Sequence, residues 1–117
     1  MRPEDRDFAY LLDMKLAADD ALSFVTGLDS EAFFASALHQ SAVIRKLEVL
    51  GEAAGRVSKP FCDAHPELPW REITGLRHRL IHGYDEVRLD LVWDVTTVKL
   101  PGLVVALDRL IPPDATA

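Results

Sequence analysis

The stretch "GLRHRLIHGYDEV", residues 75–87, concentrates side chains that can do chemistry in an otherwise acidic chain. It contains Arg77, His78, Arg79, His82 and Tyr84, whereas the formal net charge of the whole chain is −6. Histidine exchanges protons near neutral pH, and arginine holds phosphate with a fixed fork of donors. An acidic protein is not expected to bind nucleic acid over its whole surface. We therefore expect any anion-binding site to be local to this stretch.

One candidate for the stretch is a metal site. His78 and His82 are four residues apart, so on a helix they share a face and could both bind a metal ion. A third ligand would have to come from elsewhere, for which the candidates are His39, Glu52 and Asp85. Because no second motif supports this site, we expect neither a metal ion nor a cofactor.

The other candidate is a pair formed by Arg77 and His82. On an ideal helix these residues diverge by about 140°. They converge only if the helix ends or bends near Gly83, or if the long side chain of Arg77 bridges the gap. The spacing therefore predicts a helix end or bend close to this point.

An arginine and a histidine can cleave RNA without a metal. One group must remove the proton of the 2′-hydroxyl, another must protonate the leaving oxygen, and a cation must hold the charge on phosphorus. A single pair cannot easily fill all three roles, whereas two copies could. The cluster therefore suggests a site shared across the twofold axis of a homodimer.

Length and composition favour a single globular domain. The chain has 117 residues, of which 49% are apolar, enough for one core. We assign residues 1–111 to this domain and residues 112–117, "PPDATA", to a disordered tail. Cys62 is the single cysteine, so an intramolecular disulfide is excluded and the cytoplasm is expected. Neither a signal pattern nor a membrane-spanning run is visible.

Apolar residues recur at helical spacing along almost the whole chain, which predicts an all-α, up-and-down bundle of four helices. The first helix should stop near Gly27. Asp29 or Ser30 should cap a long second helix that runs from about residue 30 to residue 57. Proline at position 60 breaks that helix, and "FCDAH" adds a short extra helical turn.

The two remaining helices are predicted around the cluster. The third should begin near Trp70 and run toward His82. The fourth should run from about Asp90 to Ile111. Because Pro101 lacks a backbone donor, we expect a kink there, or a break with a new first turn at Pro101. No strand pattern competes with these helices.

Arg77, four residues, His82, Gly83 and Tyr84 resemble the Arg-four residues-His-any-Tyr motif of the HEPN-domain ribonucleases, and more specifically of HepT. HepT is the toxin of the HepT–MntA toxin–antitoxin systems. The flanking segments "RKLEVLGEAAGRVS", "LPWREITGLRHRLIHGY" and "DLVWDVTTVKLPGL" are similar to this family too. The position after the arginine, commonly Asn in HEPN proteins, is His78 here.

The resemblance implies a metal-independent endoribonuclease that acts as a homodimer of HEPN-like bundles. Arg77 would hold the scissile phosphate and His82 would be the acid or base, with His78 and Arg79 binding RNA or supporting the site. The substrate would be tRNA or mRNA. The partner would be an MntA-like nucleotidyltransferase antitoxin that transfers AMP to Tyr84, adding charge and bulk that block the site.

Simpler interpretations of the same residues remain open. His82 could be a histidine at a helix C-terminus, Arg77 could pair with Glu72 or Asp85 at the surface, and Tyr84 could simply pack. The alternative function is a non-catalytic helical partner subunit of a nucleotidyltransferase, which binds nucleotide or phosphate.

Overall fold

A computed structural model describes residues 2–82 and 86–113 of the chain, with the backbone alone at residues 3, 81 and 82. The described elements are α1 (Pro3–Val25), α2 (Ser30–Phe34), α3 (Ala37–Arg56), α4 (Lys59–Ala64), α5 (Trp70–Thr74), α6 (Leu76–Leu80), β1 (Ile81–His82), β2 (Glu86–Val87), α7 (Leu89–Asp94), a π-helical segment (Val95–Lys99) and α8 (Leu100–Leu110). The predicted tail lies mostly outside the described residues, since residues 114–117 are not among them.

The all-α fold class is confirmed, because helices make up most of the described structure and the strands are two residues each. Helix α1 packs along α3 and α8, and α3 also contacts α5, α6 and α7. The core between them is fully buried and aliphatic at its centre, with Leu11, Met14, Leu47, Leu50 and Leu107 each at most 1% exposed. Burial of this apolar surface drives the packing of the helices.

The start of the bundle follows the predicted capping signals. Helix α1 ends at Val25, and Gly27 takes a φ of +82°, a left-handed conformation that glycine adopts without a steric cost. Asp29 then caps α2, since its side chain accepts a hydrogen bond from the Ala32 N–H at 2.8 Å. Both predictions are confirmed.

The long second helix is wrong as predicted, because the chain breaks between α2 and α3. The Ser36 hydroxyl accepts a hydrogen bond from the His39 N–H at 3.3 Å and so starts α3 as a new helix. The Gln40 side-chain amide donates to the carbonyls of Phe33 and Phe34 at 3.0 and 3.1 Å. It thereby joins the first turn of α3 to the end of α2, beside the Ser36 N–H, which also donates to the Phe33 carbonyl at 3.2 Å.

The predicted fourth helix corresponds to α7, the π segment and α8 together, whose outer ends lie within about a residue of the predicted ones. At Pro101 a new helix, α8, begins with the proline in its first turn, directly after the π segment. Thr96 and Thr97 donate from their hydroxyls to the carbonyls of Val92 and Trp93 at 2.7 and 2.8 Å. Such bonds occupy carbonyls that otherwise accept backbone N–H groups of the helix, and Pro101 has no backbone N–H to donate to the preceding turn. Together these residues account for the local change from α to π hydrogen bonding.

One short strand pair, β1 with β2, adds to the predicted fold. The two strands are antiparallel, with Ile81 opposite Val87 and His82 opposite Glu86. Among the helices within residues 2–82 and 86–113, none is long and apolar enough to cross a membrane.

Candidate active site

Helices α5 and α6 pack against α3. Arg77, His78 and Arg79 of α6 form the basic cluster. The approach is close at Gly51, where an added Cβ would lie 3.1 Å from the carbonyl oxygen of Ile73. Ile73, Leu76 and Leu80 are 4%, 5% and 2% exposed, respectively, and so bury the inner face of this segment. Glycine at position 51 therefore permits this close approach, and an added methyl would press on the backbone of α5.

The outer face of α6 presents the cluster to solvent. Arg77, His78 and Arg79 are all exposed. Within the described part of the chain, no carboxylate lies within ion-pair distance of these side chains. The simpler interpretation in which Arg77 pairs with Glu72 is therefore wrong. An exposed arginine without a carboxylate partner keeps its fork of donors available to an anion.

The third helix is interrupted and is shorter than predicted. Gly75 separates α5 from α6, and α6 ends at Leu80, two residues before His82. His82 instead belongs to β1, opposite Glu86. The chain thus leaves helical geometry between Arg77 and His82, so the ideal-helix divergence does not apply to this pair. The predicted end of the helix is present, slightly earlier than Gly83.

The remaining predicted site residue, Tyr84, lies outside the described residues, as do Gly83 and Asp85. They form the connection between β1 and β2 in the sequence. Their roles stay predictions.

Two charged residues near the cluster were not singled out from the sequence. Glu86 is exposed and lies opposite His82 in the strand pair. Arg88 donates from Nε and Nη2 to the two carboxylate oxygens of Asp90 at 3.2 and 3.0 Å. These hydrogen bonds raise the pKa of Arg88 and lower that of Asp90. The sequence carries no signal for this arrangement, because a strand of two residues has no readable periodicity.

Two candidate third ligands of the alternative metal site, His39 and Glu52, lie near opposite ends of α3. His39 Nδ1 lies 2.6 Å from the Ser36 hydroxyl at the start of α3, where it belongs to the helix cap. Glu52 is exposed near the other end of α3. Among the described side chains, which do not include that of His82, no group of three His, Cys, Asp or Glu residues could hold a metal ion.

Comparison with known proteins identifies the family. The profile described as "Ribonuclease HepT-like" matches residues 14–110, which include the whole basic cluster. No solved structure matches the chain significantly.

Several curated relatives cover most of the chain. A Thermococcus cleftensis protein named "Probable ribonuclease HepT" is 35% identical over 101 residues, which is 86% of this chain and 92% of the relative. A Methanocaldococcus jannaschii protein named "Putative RNase MJ0127" is 31% identical over 103 residues, covering 88% and 85%. A Caldanaerobacter subterraneus protein named "Putative RNase TTE0752" is 35% identical over 79 residues, covering 68% and 70%.

The profile match and these relatives confirm the predicted enzyme class, an endoribonuclease. The chain therefore belongs to the HepT-like ribonuclease family.

Proposed function

We propose that this chain is the toxin of a toxin–antitoxin pair, a metal-independent endoribonuclease whose site is formed by Arg77 and His82. The observation that carries the proposal is the state of Arg77, an exposed guanidinium with no carboxylate partner in the described part of the chain. A cation that is not already neutralised can bind the scissile phosphate and the charge that develops on it.

His82 supplies the proton chemistry in this proposal. Its position after the end of α6 supports a role beside Arg77, since the two residues are separated by a change of backbone geometry instead of a continuous helix. An imidazole can act as base toward the 2′-hydroxyl or as acid toward the leaving oxygen. His78 and Arg79 directly follow Arg77 in the sequence and bind the neighbouring RNA backbone.

The roles that one cluster cannot fill come from a second copy of the chain. In a homodimer with twofold symmetry, each half contributes an arginine and a histidine to a shared cleft. One histidine then acts as the base while its symmetry mate acts as the acid. Because charge and proton transfer are both supplied by side chains, the reaction needs no metal ion.

Regulation falls to the cognate nucleotidyltransferase, an MntA-like antitoxin that transfers AMP to Tyr84. The modification adds a phosphate charge two residues from His82, which repels RNA. The substrate is a cellular RNA, tRNA or mRNA.

Expression in cells tests this function. Production of the chain alone should arrest growth, production with its nucleotidyltransferase should not, and His82→Ala should be harmless in both cases. Intact-mass measurement should show whole AMP units on the neutralised protein, mapped to Tyr84. Wild-type protein that is harmless alone, yet captures the transferase in a pulldown, would instead indicate the non-catalytic partner subunit.

A further inference from the structure

A cleft of about 250 Å³ lies beside the basic cluster, between α5–α6 on one side and the π segment with α8 on the other. Its walls are mainly aliphatic and come from α3, the segment before α5, α5, α6 and α8: Leu50, Leu68, Ile73, Leu76, Leu100 and Leu103. Most of these residues also belong to the buried core. The cleft is thus a structured opening into the bundle, and no residue assigned to catalysis occupies it.

One edge of the cleft, on helix α8, has no side chain at position 102. Gly102 lines the opening, and a Cβ built on it would meet no atom within 4 Å. A side chain at position 102 would therefore enter open space, whereas one at position 51 would press on the backbone of α5. The π segment directly precedes this turn, and such segments often accompany functional sites.

The rim of the cleft carries charges of both signs. Arg79 of α6 and Lys99 of the π segment supply two cations, and Glu67 and Glu72 supply two carboxylates. Glu67 already accepts from His65 Nδ1 at 3.1 Å. Within residues 2–82 and 86–113, neither Arg79 nor Lys99 has a carboxylate within ion-pair distance.

We propose that this cleft binds one unpaired nucleotide of the RNA substrate. The base enters the aliphatic opening, its phosphate lies at Arg79 and Lys99, and Glu72 accepts a hydrogen bond from a base N–H donor. Sequence-selective RNA recognition generally uses splayed bases of single-stranded segments. A mainly apolar site with a few polar groups at its edge suits such a ligand.

This inference rests on the proposed ribonuclease function and adds a subsite to it. Arg77 and Arg79 are two residues apart on α6, a spacing that places them on different sides of the helix. An RNA strand that binds both Arg77 and the cleft therefore has to cross the exposed face of α6. The two free cations favour a ligand that carries a phosphate over an uncharged apolar side chain of a protein partner.

Methyl NMR of the purified chain titrated with GMP tests the proposal. GMP should move the methyl signals of Leu76, Leu100 and Leu103, and guanosine, which lacks the phosphate, should bind about tenfold more weakly. Gly102→Leu fills the opening and should abolish these shifts. Val105→Leu is the matched control, because Val105 is an exposed position on the same helix.

A second variant and the cleavage assay make the outcome unambiguous. Arg79→Ala should weaken GMP binding to about the level of guanosine, and Gly102→Leu should raise KM for RNA with little change in kcat. The proposal is overturned if GMP leaves the three leucines unmoved or binds Gly102→Leu as well as Val105→Leu. It is also overturned if Gly102→Leu weakens only the capture of the nucleotidyltransferase, which would assign the cleft to a protein partner. The titration needs no RNA cleavage, so it can fail or succeed independently of the proposed function.

Discussion

The backbone N–H of Arg88 donates to the carbonyl oxygen of Leu80 at 2.7 Å. This hydrogen bond joins the last residue of α6 to the residue that caps α7. It also pairs an acceptor that the end of a helix leaves free. The hydrogen bond lies next to the strand pair that contains His82. It links the end of α6, the helix that carries Arg77, to the start of α7.

Removing this one donor should loosen the end of α6. Arg88 has a φ of −80°, which proline tolerates, so Arg88→Pro deletes the N–H without forcing φ. The proline ring then displaces the Leu80 carbonyl oxygen from hydrogen-bond distance. We expect a loss of about 1–2 kcal/mol in unfolding free energy, measured by urea denaturation, and slower RNA cleavage.

Arg88→Ala is the control for this change, because it keeps the N–H and removes only the exposed pair with Asp90. Such a solvent-exposed pair contributes little to stability. Equal losses in the alanine and proline variants would show that the backbone bond is not what fixes this end.

Two glycines of α3 should respond in opposite ways to alanine. In a helix interior this change normally stabilises by about 1 kcal/mol. At Gly51, however, the new methyl would lie 3.1 Å from the Ile73 carbonyl oxygen, a backbone atom that cannot move alone. We expect Gly51→Ala to lower the melting temperature and to reduce cleavage by displacing α5 and α6.

Gly55→Ala is the matched control, because its Cβ would meet only the Thr74 methyl at 4.0 Å. Its melting temperature should stay the same or rise. If both variants proved equally stable, the close contact of α3 with α5 would be refuted.

Asp7 should be essential for stability although it is remote from the cluster. It is 6% exposed, and its carboxylate accepts from the N–H and hydroxyl of Ser58 at 2.8 and 2.7 Å. Asp7→Ala leaves these donors without their charged acceptor, which should cost about 3 kcal/mol in urea unfolding. Asp13→Ala, an exposed position on the same helix, should change stability by less than about 0.5 kcal/mol.

Cys62 should react slowly with alkylating reagents in the folded protein. Burial raises the pKa of its thiol, and the nearby carboxylates of Asp7 and Asp63 raise it further. Because the thiolate is the reactive form, iodoacetamide labelling at pH 8 should be slower than in urea-unfolded protein. Asp63→Asn removes one negative charge and should speed the labelling of the folded state. An unchanged rate in that variant would exclude the electrostatic contribution.

The sequence predicted the fold where a signal was local. Asp29 and Gly27 each act through their own neighbourhood, so their roles could be inferred from residue type alone. The break at Ser36 was missed because the apolar spacing continues through α2 and α3, and a serine inside such a pattern is compatible with either one helix or two. The π segment was not predicted, because periodicity does not distinguish five residues of π-helix from α-helix. The sequence indicated only a kink or a break at Pro101.

The site was predicted in its residue types more than in its geometry. The motif indicated Arg77 and His82, and the divergence on an ideal helix indicated that the helix must end between or near them. The end of α6 at Leu80 and the partner Glu86 belong to a strand pair of two residues each, which is too short for a readable periodicity. The cleft at Gly102 depends on contacts between segments that are distant along the chain. Such contacts leave no trace in the spacing of a single sequence.

The central claim is that Arg77 binds the reacting phosphate without a metal ion, and RNA cleavage by the purified, unmodified protein in excess EDTA tests it most directly. The matched control is Arg109→Ala, which removes an exposed arginine of α8 that has no ion pair in the described part of the chain. We predict that wild type and Arg109→Ala cleave RNA at equal rates in EDTA, and that Arg77→Ala is slower by at least about 100-fold. Intact RNA with wild-type protein, or equal rates for Arg77→Ala and Arg109→Ala, would contradict the account.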